Sequence, residues 1–403
     1  MRNLALAALL LVLSLPQQNL WEGSEPRPQG KTPLEKPVLV WQMQPKGAQL
    51  RRVQMRVNGQ PIPTRYDNES HSIIGEPQEP LPIGPVKAAC EVWLSNDKGV
   101  DMEWEFTRVL TPPPPPAPDS AQQDTLTHLN HLRRAALLPD AVLQPALCLA
   151  AARHSRYLWA NKLELTHTQQ PEKSEFYAAT PEERAEKAGF YDPCYEVVAQ
   201  GPSALASVQS LMDAPYHRAA LLQPGAFPAG VGIAGDRVTV LCGASTGREV
   251  LVYPADGQLD VSVQWTDTET PDPLRLYPGA ARTTGYPITL HLYGVTDKPE
   301  LVAAALTGPD NMPVACYTNS PSNDSELDDM ILLIPKQPLL PLSAYRARIV
   351  VKEADGRETA RSWQFTTGKA VVPVPPPKPT VKPIVKPAPK PPSAPPPKPK
   401  KKK

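Results

Sequence analysis

Nucleophilic catalysis needs a serine, cysteine or threonine activated by a base. The one G-x-S-x-G stretch, Gly243-Ala-Ser-Thr-Gly247, leads into a β run rather than a helix, so it lacks the strand–turn–helix setting of a nucleophile elbow. Cys194 lies two residues before Glu196. On a strand both side chains would face the same side, so a Cys194/His217 nucleophile–base pair is conceivable, although a buried, inert cysteine is the commoner case. Arg218 follows His217 directly and could clamp an anion or pair with a local carboxylate. His154 falls on an apolar helical stripe, which points to a core histidine with a satisfied ring. His128 and His131 flank another stripe and read as surface residues.

These residues sit in a middle block, 119–247, of helical character. Ser120-x-x-Gln123 reads as a capping box. The helix after it carries Leu126, Leu129, Leu132 and Ala136. A second runs from about Pro145 to Asn161, with Leu147, Ala151, His154 and Leu158 on one face. A third takes Thr180 as cap, Pro181 in first position, Glu183 closing the box and Gly189 as stop. A fourth starts at Ser203 and uses Leu205, Val208 and Met212. A glycine-rich β pair over 229–243 turns at Gly235-Asp236. The block is an α+β domain of ordinary size.

The flanks are different. Residues 33–111 alternate as strands do, as in Val38-Val40, Val53-Met55-Val57 and Cys90-Val92-Leu94, with turns such as Asn58-Gly59 between them. Residues 249–369 share a signature with that block. Pro77-Gln-Glu-Pro-Leu81 and Pro335-Lys-Gln-Pro-Leu339 each lead to a β run, a turn glycine (Gly99, Gly356) and an aromatic ending, Trp104-Glu-Phe106 or Trp363-Gln-Phe365. This reads as an internal duplication of one β unit, most simply an immunoglobulin-like sandwich, with the middle block inserted between the copies.

The middle block resembles the CAP superfamily of cysteine-rich secretory, antigen 5 and pathogenesis-related proteins, which includes exported bacterial SCP-like domains. The resemblance rests on an ordered set: Asn130-x-x-Arg133, Leu143, the alanine-rich helix with His154 and Tyr157, Leu165-Thr-His-Thr168, Ala188-Gly189, Tyr195-Glu-Val197, Pro215-Tyr-His-Arg218 and Gly230-Val-Gly232. The flanks resemble bacterial immunoglobulin-like modules through P-x-x-P-L and W-x-F. The resemblance implies an α-β-α sandwich with a cleft lined by His167, Glu196 and His217, beside Arg218. Two imidazoles and a carboxylate suit Zn²⁺ with one position open. Without metal they suit acid–base chemistry. The chain departs from the family pattern in Tyr195-Glu-Val-Val198 and Leu211, and this counts against retained enzymatic chemistry.

The whole chain is multidomain. The expected layout is a signal peptide at 1–20, a β-sandwich at 33–111, a Pro-rich linker at 112–118, the CAP/SCP-like domain at 119–247, a second β-sandwich at 249–369 and a disordered Pro/Lys-rich tail at 370–403. Arg2 followed by an apolar run from Leu4 to Leu15 fits a secretory signal and is too short for a membrane span; no later stretch reaches transmembrane length. Five cysteines are sparse and odd in number. One disulfide among Cys148, Cys194 and Cys242 remains open, and burial as small apolar groups is the expected fate of most.

The net charge of +1 hides an asymmetry. Nine lysines and no acid lie in 370–403, which leaves 33 basic against 41 acidic groups before it. An acidic body disfavours nucleic acid as a partner. The cationic tail suits anionic envelope polymers or lipids.

The leading functional expectation is a secreted or envelope-associated binding or structural module, with a cell-wall glycan, a lipid or a surface protein as ligand. The alternative is a metal-assisted or acid–base hydrolase using His167, Glu196 and His217.

Overall fold

The computed structural model describes residues 21–369, except 97, 246, 267–268, 296–297 and 354–355. The expected signal peptide and cationic tail lie outside the described residues. No helix among the described residues is long and apolar enough to cross a membrane.

The first block carries strands β1 (Trp21–Gly23), β2 (Lys31–Thr32), β3 (Leu39–Pro45), β4 (Leu50–Val57), β5 (Gln60–Ile62), β6 (Thr64–Asp67), β7 (Ser72–Gly75), β8 (Gly84–Leu94) and β9 (Gly99–Arg108). They form two sheets, β1-β3-β7-β6 and β2-β9-β8-β4-β5, closed over one core that includes Trp41, Met43, Met55, Val92 and Phe106. The unit begins before residue 33, because β1 pairs with β3 from Trp21 onward. In β3 the buried phase is Leu39, Trp41 and Met43, while Val38 is exposed. The alternation expected at Val38-Val40 is therefore one residue out of phase. Period-2 geometry makes that a change of face, and the larger side chains take the core.

The middle block contains α1 (Ser120–Ala135), β10 (Val142–Leu143), α2 (Pro145–Asn161), α3 (Pro181–Ala188), β11 (Cys194–Gln200), α4 (Ala204–Asp213), α5 (Pro215–Leu221), β12 (Pro228–Ala234) and β13 (Arg237–Gly243). Its sheet runs β10-β12-β13-β11, which leaves β11 at an edge. Leu241 packs with Leu147, Ala151 and Ala185, from α2 and α3. Its neighbour Val240 packs with Leu129 and Val208, from α1 and α4. Adjacent strand residues point to opposite faces, so helices cover both, giving α-β-α layers.

Capping sets the helix starts. α3 uses Thr180, Pro181, Glu183 and Gly189 as expected. α1 begins one residue earlier than expected: Asp119 is the cap and exchanges hydrogen bonds with Gln122, Gln122 N to Asp119 Oδ1 at 2.9 Å and Asp119 N to Gln122 Oε1 at 2.9 Å. On α4 the buried positions are Ser207, Val208, Leu211 and Met212, and Leu205 points outward.

Asn130 and Arg133 lock the loops around α1. Asn130 pairs both ways with the Ala141 backbone. Arg133 donates to the carbonyls of Pro139, Leu221, Gln223 and Gly225 and lies over the Phe227 ring. Burial pushes its guanidinium down to about 10.

The third block repeats the first. Its strands are β14 (Glu249–Tyr253), β15 (Trp265–Thr266), β16 (Thr283–Thr284), β17 (Ile288–Tyr293), β18 (Glu300–Thr307), β19 (Pro313–Val314), β20 (Cys316–Asn319), β21 (Met330–Pro335), β22 (Ala344–Lys352) and β23 (Glu358–Thr366). The main sheets run β14-β17-β21-β20 and β19-β18-β22-β23. Taken in chain order, these match β1-β3-β7-β6 and β5-β4-β8-β9 strand for strand. The signature residues do equivalent work: Leu81 and Leu339 are buried, as are Trp104, Phe106, Trp363 and Phe365.

The third block is not a separate bead. Leu129, Val208, Leu221 and Val231 of the middle block share one core with Leu251, Tyr286, Leu290 and Ile349 of the third. The first block keeps its own core. It meets the middle block through a Lys31–Glu186 ion pair and through Pro112, which packs close to Gly189.

Helix α2 and strand β12 approach each other closely. A Cβ on Gly232 would fall 2.0 Å from the Ala151 carbonyl carbon, and one on Gly230 would fall 2.1 Å from that of Leu147. Backbone meets backbone, so no rotamer can relieve the clash. Gly232→Ala is expected to destabilise the protein by about 1–3 kcal/mol or more, read as a lower urea midpoint with α2 displaced.

Candidate functional site

Glu196 sits on the edge strand β11, on the side facing α2 and α3. Its side chain is 1% exposed. Three residues meet it there. His167, from the loop after α2, donates Nδ1–H to Oε1 at 3.0 Å. Arg184 of α3 donates from Nη2 to Oε2 at 2.6 Å. His154 of α2 places Nε2 3.5 Å from Oε1. Burial alone would raise the carboxyl, but the hydrogen bond from His167 and the charge and hydrogen bond of Arg184 outweigh it and hold the group below its ordinary value.

The Arg184 guanidinium is fully buried and also donates to the carbonyls of His167 and Ala179. One side chain thus fixes the carboxylate, the His167 backbone and the approach to α3.

His154 is a buried, satisfied core histidine, as its stripe position implied. Its Nε2 donates to the Thr166 carbonyl at 2.7 Å, and its Nδ1 takes a hydrogen bond from Gln169 Nε2 at 3.1 Å. Gln169 Oε1 accepts from Tyr177 N, which orients the amide and so assigns the imidazole tautomer. Burial pushes His154 down to about 4, so it is neutral at pH 7. His167 is the exposed member of the group, with 52% of its side chain accessible. With Nδ1 on Glu196, Nε2 is the ring nitrogen left for a further hydrogen bond.

His217, on α5, is anchored from outside the middle block. Glu269 Oε1 takes a hydrogen bond from His217 Nδ1 at 2.7 Å, and also from the backbone N–H groups of Tyr216 and His217. α5 has no cap from its own flank, and Glu269 fills that role across the junction by satisfying donors that a helix start leaves open. A seven-residue helix capped from a distant segment has little local signal, which is why the middle block's sequence pattern did not show it.

His167, Glu196 and His217 all line one cavity of about 760 Å³. Its walls come from both blocks: Tyr195, Tyr216 and Gln223 on one side, Tyr293, Asp328 and Asp329 on the other. Glu175 pairs with Arg156 at 3.0 Å and Glu172 stays off the lining, so neither supplies a further acid to the cleft.

Arg218 requires a correction. It was expected to line the cleft, but it is fully buried and faces the third block. It donates to the carbonyls of Met212, Asp213 and Pro287 and lies over the rings of Tyr253 and Tyr286. Three carbonyls and two π faces satisfy a buried guanidinium without a carboxylate, and no surface remains for an anion.

The donor set does not suit a metal ion. Among the described residues no three His, Cys, Asp or Glu side chains are grouped to hold one. Glu196 Oε2 lies on the Arg184 cation, and His217 turns its Nδ1 to Glu269 rather than toward Glu196. This arrangement does not fit Zn²⁺. All five cysteines are free thiols. Burial pushes Cys194 and Cys242 up to about 12 and raises Cys148, so Cys194 is no thiolate nucleophile beside His217 at neutral pH.

Arg184, Gln169 and Glu269 were not found from the sequence. Arg184 had one weak cue, its place one turn into a strongly capped helix. Glu269 had none, because it lies outside the block whose histidine it holds.

Residues 126–242 match the family model for CAP, the cysteine-rich secretory protein family. No curated protein matches the chain. Among solved structures, an extracellular protein containing an SCP domain from Bacillus anthracis aligns at 14% identity over 57% of this chain and 70% of that one, with a TM-score of 0.27. PcoC, a copper resistance protein from Escherichia coli, aligns at 20% identity over 29% and 94%, with a TM-score of 0.18. CopC from Methylosinus trichosporium aligns at 10% over 30% and 94%, with a TM-score of 0.20. At these scores the likenesses carry no function across.

The neutral state of His154 makes stability depend on pH. A histidine with a folded value near 4 and an unfolded value near 6.5 binds more protons when unfolded. Stability is therefore complete above about pH 6.5 and falls as the pH drops toward about 4, by on the order of 3 kcal/mol. Glu196, held low by its partners, adds a loss in the same direction below its ordinary range. Urea unfolding at about pH 7 and about pH 4.5 measures this, and His154→Gln is expected to flatten most of the difference between them.

Proposed function

We propose, with the CAP domain of residues 126–242 as premise, that this chain is an exported binding module, secreted or held at the cell envelope. Its ligand site is the cleft bearing His167, Glu196 and His217, and the ligand is a cell-wall glycan, a lipid or a surface protein. One observation carries the reading. Two histidines, each held at Nδ1 by a buried carboxylate, open onto one cleft in which, among the described residues, no lining cysteine or serine is activated by a base. The cysteine in the lining is a high-pKa thiol. The serine there, Ser245, donates its hydroxyl to the Pro224 carbonyl. Fixed imidazoles among tyrosines and carboxylates suit polar recognition.

The flanking units are read as immunoglobulin-type sandwiches on their strand order, with A-B-E-D in one sheet and G-F-C in the other. The first presents the middle block as a spacer does, and the third completes the wall of its cleft. Export rests on the apolar N-terminal run, and the lysine-rich C-terminal segment supplies attachment to an anionic envelope component.

One observation favours a second reading, acid–base hydrolysis. His167 is oriented by Glu196 as a general base would be. A single experiment separates the two. Solubilised cell-wall glycan is titrated onto the full chain, and product release is followed in parallel. Binding without turnover is expected, with His167→Ala and His217→Ala each weakening it by about tenfold, the loss of one or two good hydrogen bonds. Turnover that collapses in His167→Ala would put the hydrolase reading in place of the binding one.

A further inference from the structure

We propose that the cleft takes an extended, basic polypeptide segment, added as a strand to the open edge of β11. This rests on the ligand-site reading and selects, from the ligands named there, a segment of a surface protein.

The hydrogen-bond phase of β11 is fixed at both ends. Ala244 N donates to the Pro193 carbonyl at 2.8 Å, and Gly201 N donates to the Asp236 carbonyl at 3.0 Å. Both pairs keep the register that sets Tyr195 opposite Cys242 and Val197 opposite Val240. Bonded and non-bonded pairs alternate along an antiparallel ladder. Tyr195, Val197 and Ala199 therefore spend their main-chain groups on β13, while Cys194 and Glu196 turn N–H and C=O the other way. β11 ends its sheet, so no strand of the sheet takes them.

Two observations place this edge in the cleft. Cys194, Tyr195, Glu196 and Val197 are consecutive and alternate between the two faces of the sheet, yet all four line one cavity. A cavity reached from both faces lies along the edge of the strand. Glu196 is partly exposed as a residue, although only 1% of its side chain is accessible. Its accessible atoms are therefore those of the main chain.

N–H and C=O groups presented at two-residue spacing match an extended backbone, which carries the complementary groups at the same repeat. An acyl chain has neither group, and the ring and ether bonds of a glycan main chain carry no N–H. The cavity, about 760 Å³, holds a short segment rather than a folded domain. Beyond His167, Glu196 and His217, its charged lining is Glu182 of α3 with Asp328 and Asp329 of the third block, and no lysine or arginine is among the described lining residues. Charge complementarity selects basic side chains on the incoming strand.

The test titrates the full chain with a capped octapeptide of alternating threonine and lysine, read by affinity and by amide hydrogen exchange. In the free chain the Glu196 amide is expected to exchange faster than those of Tyr195 and Val197, and saturating peptide is expected to slow it about tenfold or more. Two further octapeptides are N-methylated, one at every threonine and one at every lysine. Because only alternate residues of an added strand face β11, at least one of them is expected to bind about tenfold more weakly. Glu182→Gln/Asp328→Asn, both at exposed positions, is expected to lower affinity for the parent peptide about fivefold and to reduce its salt dependence. The proposal is overturned if the parent peptide does not bind, if it leaves Glu196 exchange unchanged at saturation, or if neither methylated peptide is weaker. Glycan binding that depends on His167, with no peptide binding, would overturn edge pairing and leave the ligand-site reading standing. Peptide binding that slows Glu196 exchange but ignores His167→Ala and His217→Ala would support edge pairing and remove the histidines from recognition.

Discussion

A carboxylate with 1% of its side chain exposed must be compensated or it will not stay ionised. Glu196 is compensated by Arg184, itself fully buried. Much of the local architecture follows from that requirement. Arg184 must come from α3, so α3 must start at a firm cap and end at a left-handed glycine. The His167 loop must pass over the same guanidinium, because its carbonyl takes one of the remaining hydrogens. His154 is neutral because burial disfavours its charged form. Removing either member of the pair would strand the other in the interior, which costs far more than the pair itself contributes. The exposed face of His167 is the outer surface of this buried arrangement.

The second histidine obeys another logic. His217 takes its orientation from Glu269, and α5 takes its cap from the same oxygen. Around it, Tyr293 donates to the Ala219 carbonyl, Tyr286 donates to Asp213, and Arg275 and Tyr216 converge on Asp324. The cleft is therefore a property of two blocks together. A middle block without its neighbour would lose the group that aims His217.

The sequence made regular features legible and left cross-block ones hidden. α2 and α3 were readable because their stripes, caps and stops are local, and local signals decide helix boundaries. The duplication was readable because Leu81 and Leu339, and the two W-x-F endings, recur at nearly equal spacing. Val38-Val40 misled because an alternating run fixes the period but not the phase. Arg218 misled because its neighbour is a cleft histidine. On a helix, adjacent residues diverge by about 100°, and that sent the guanidinium to the opposite wall. Glu269 was invisible because its function depends on a fold-level contact between positions 52 residues apart.

The two copies of the β unit share strand order yet differ in what surrounds them. The first closes its core on itself. The second continues without a break into the helices of the inserted block. Cooperativity follows shared packing rather than sequence boundaries. The chain consequently has three units in its pattern but two in its thermodynamics: an autonomous N-terminal sandwich, and a larger body that forms or melts as one. Any length of this chain that ends near residue 247 would cut through an interior, not a joint.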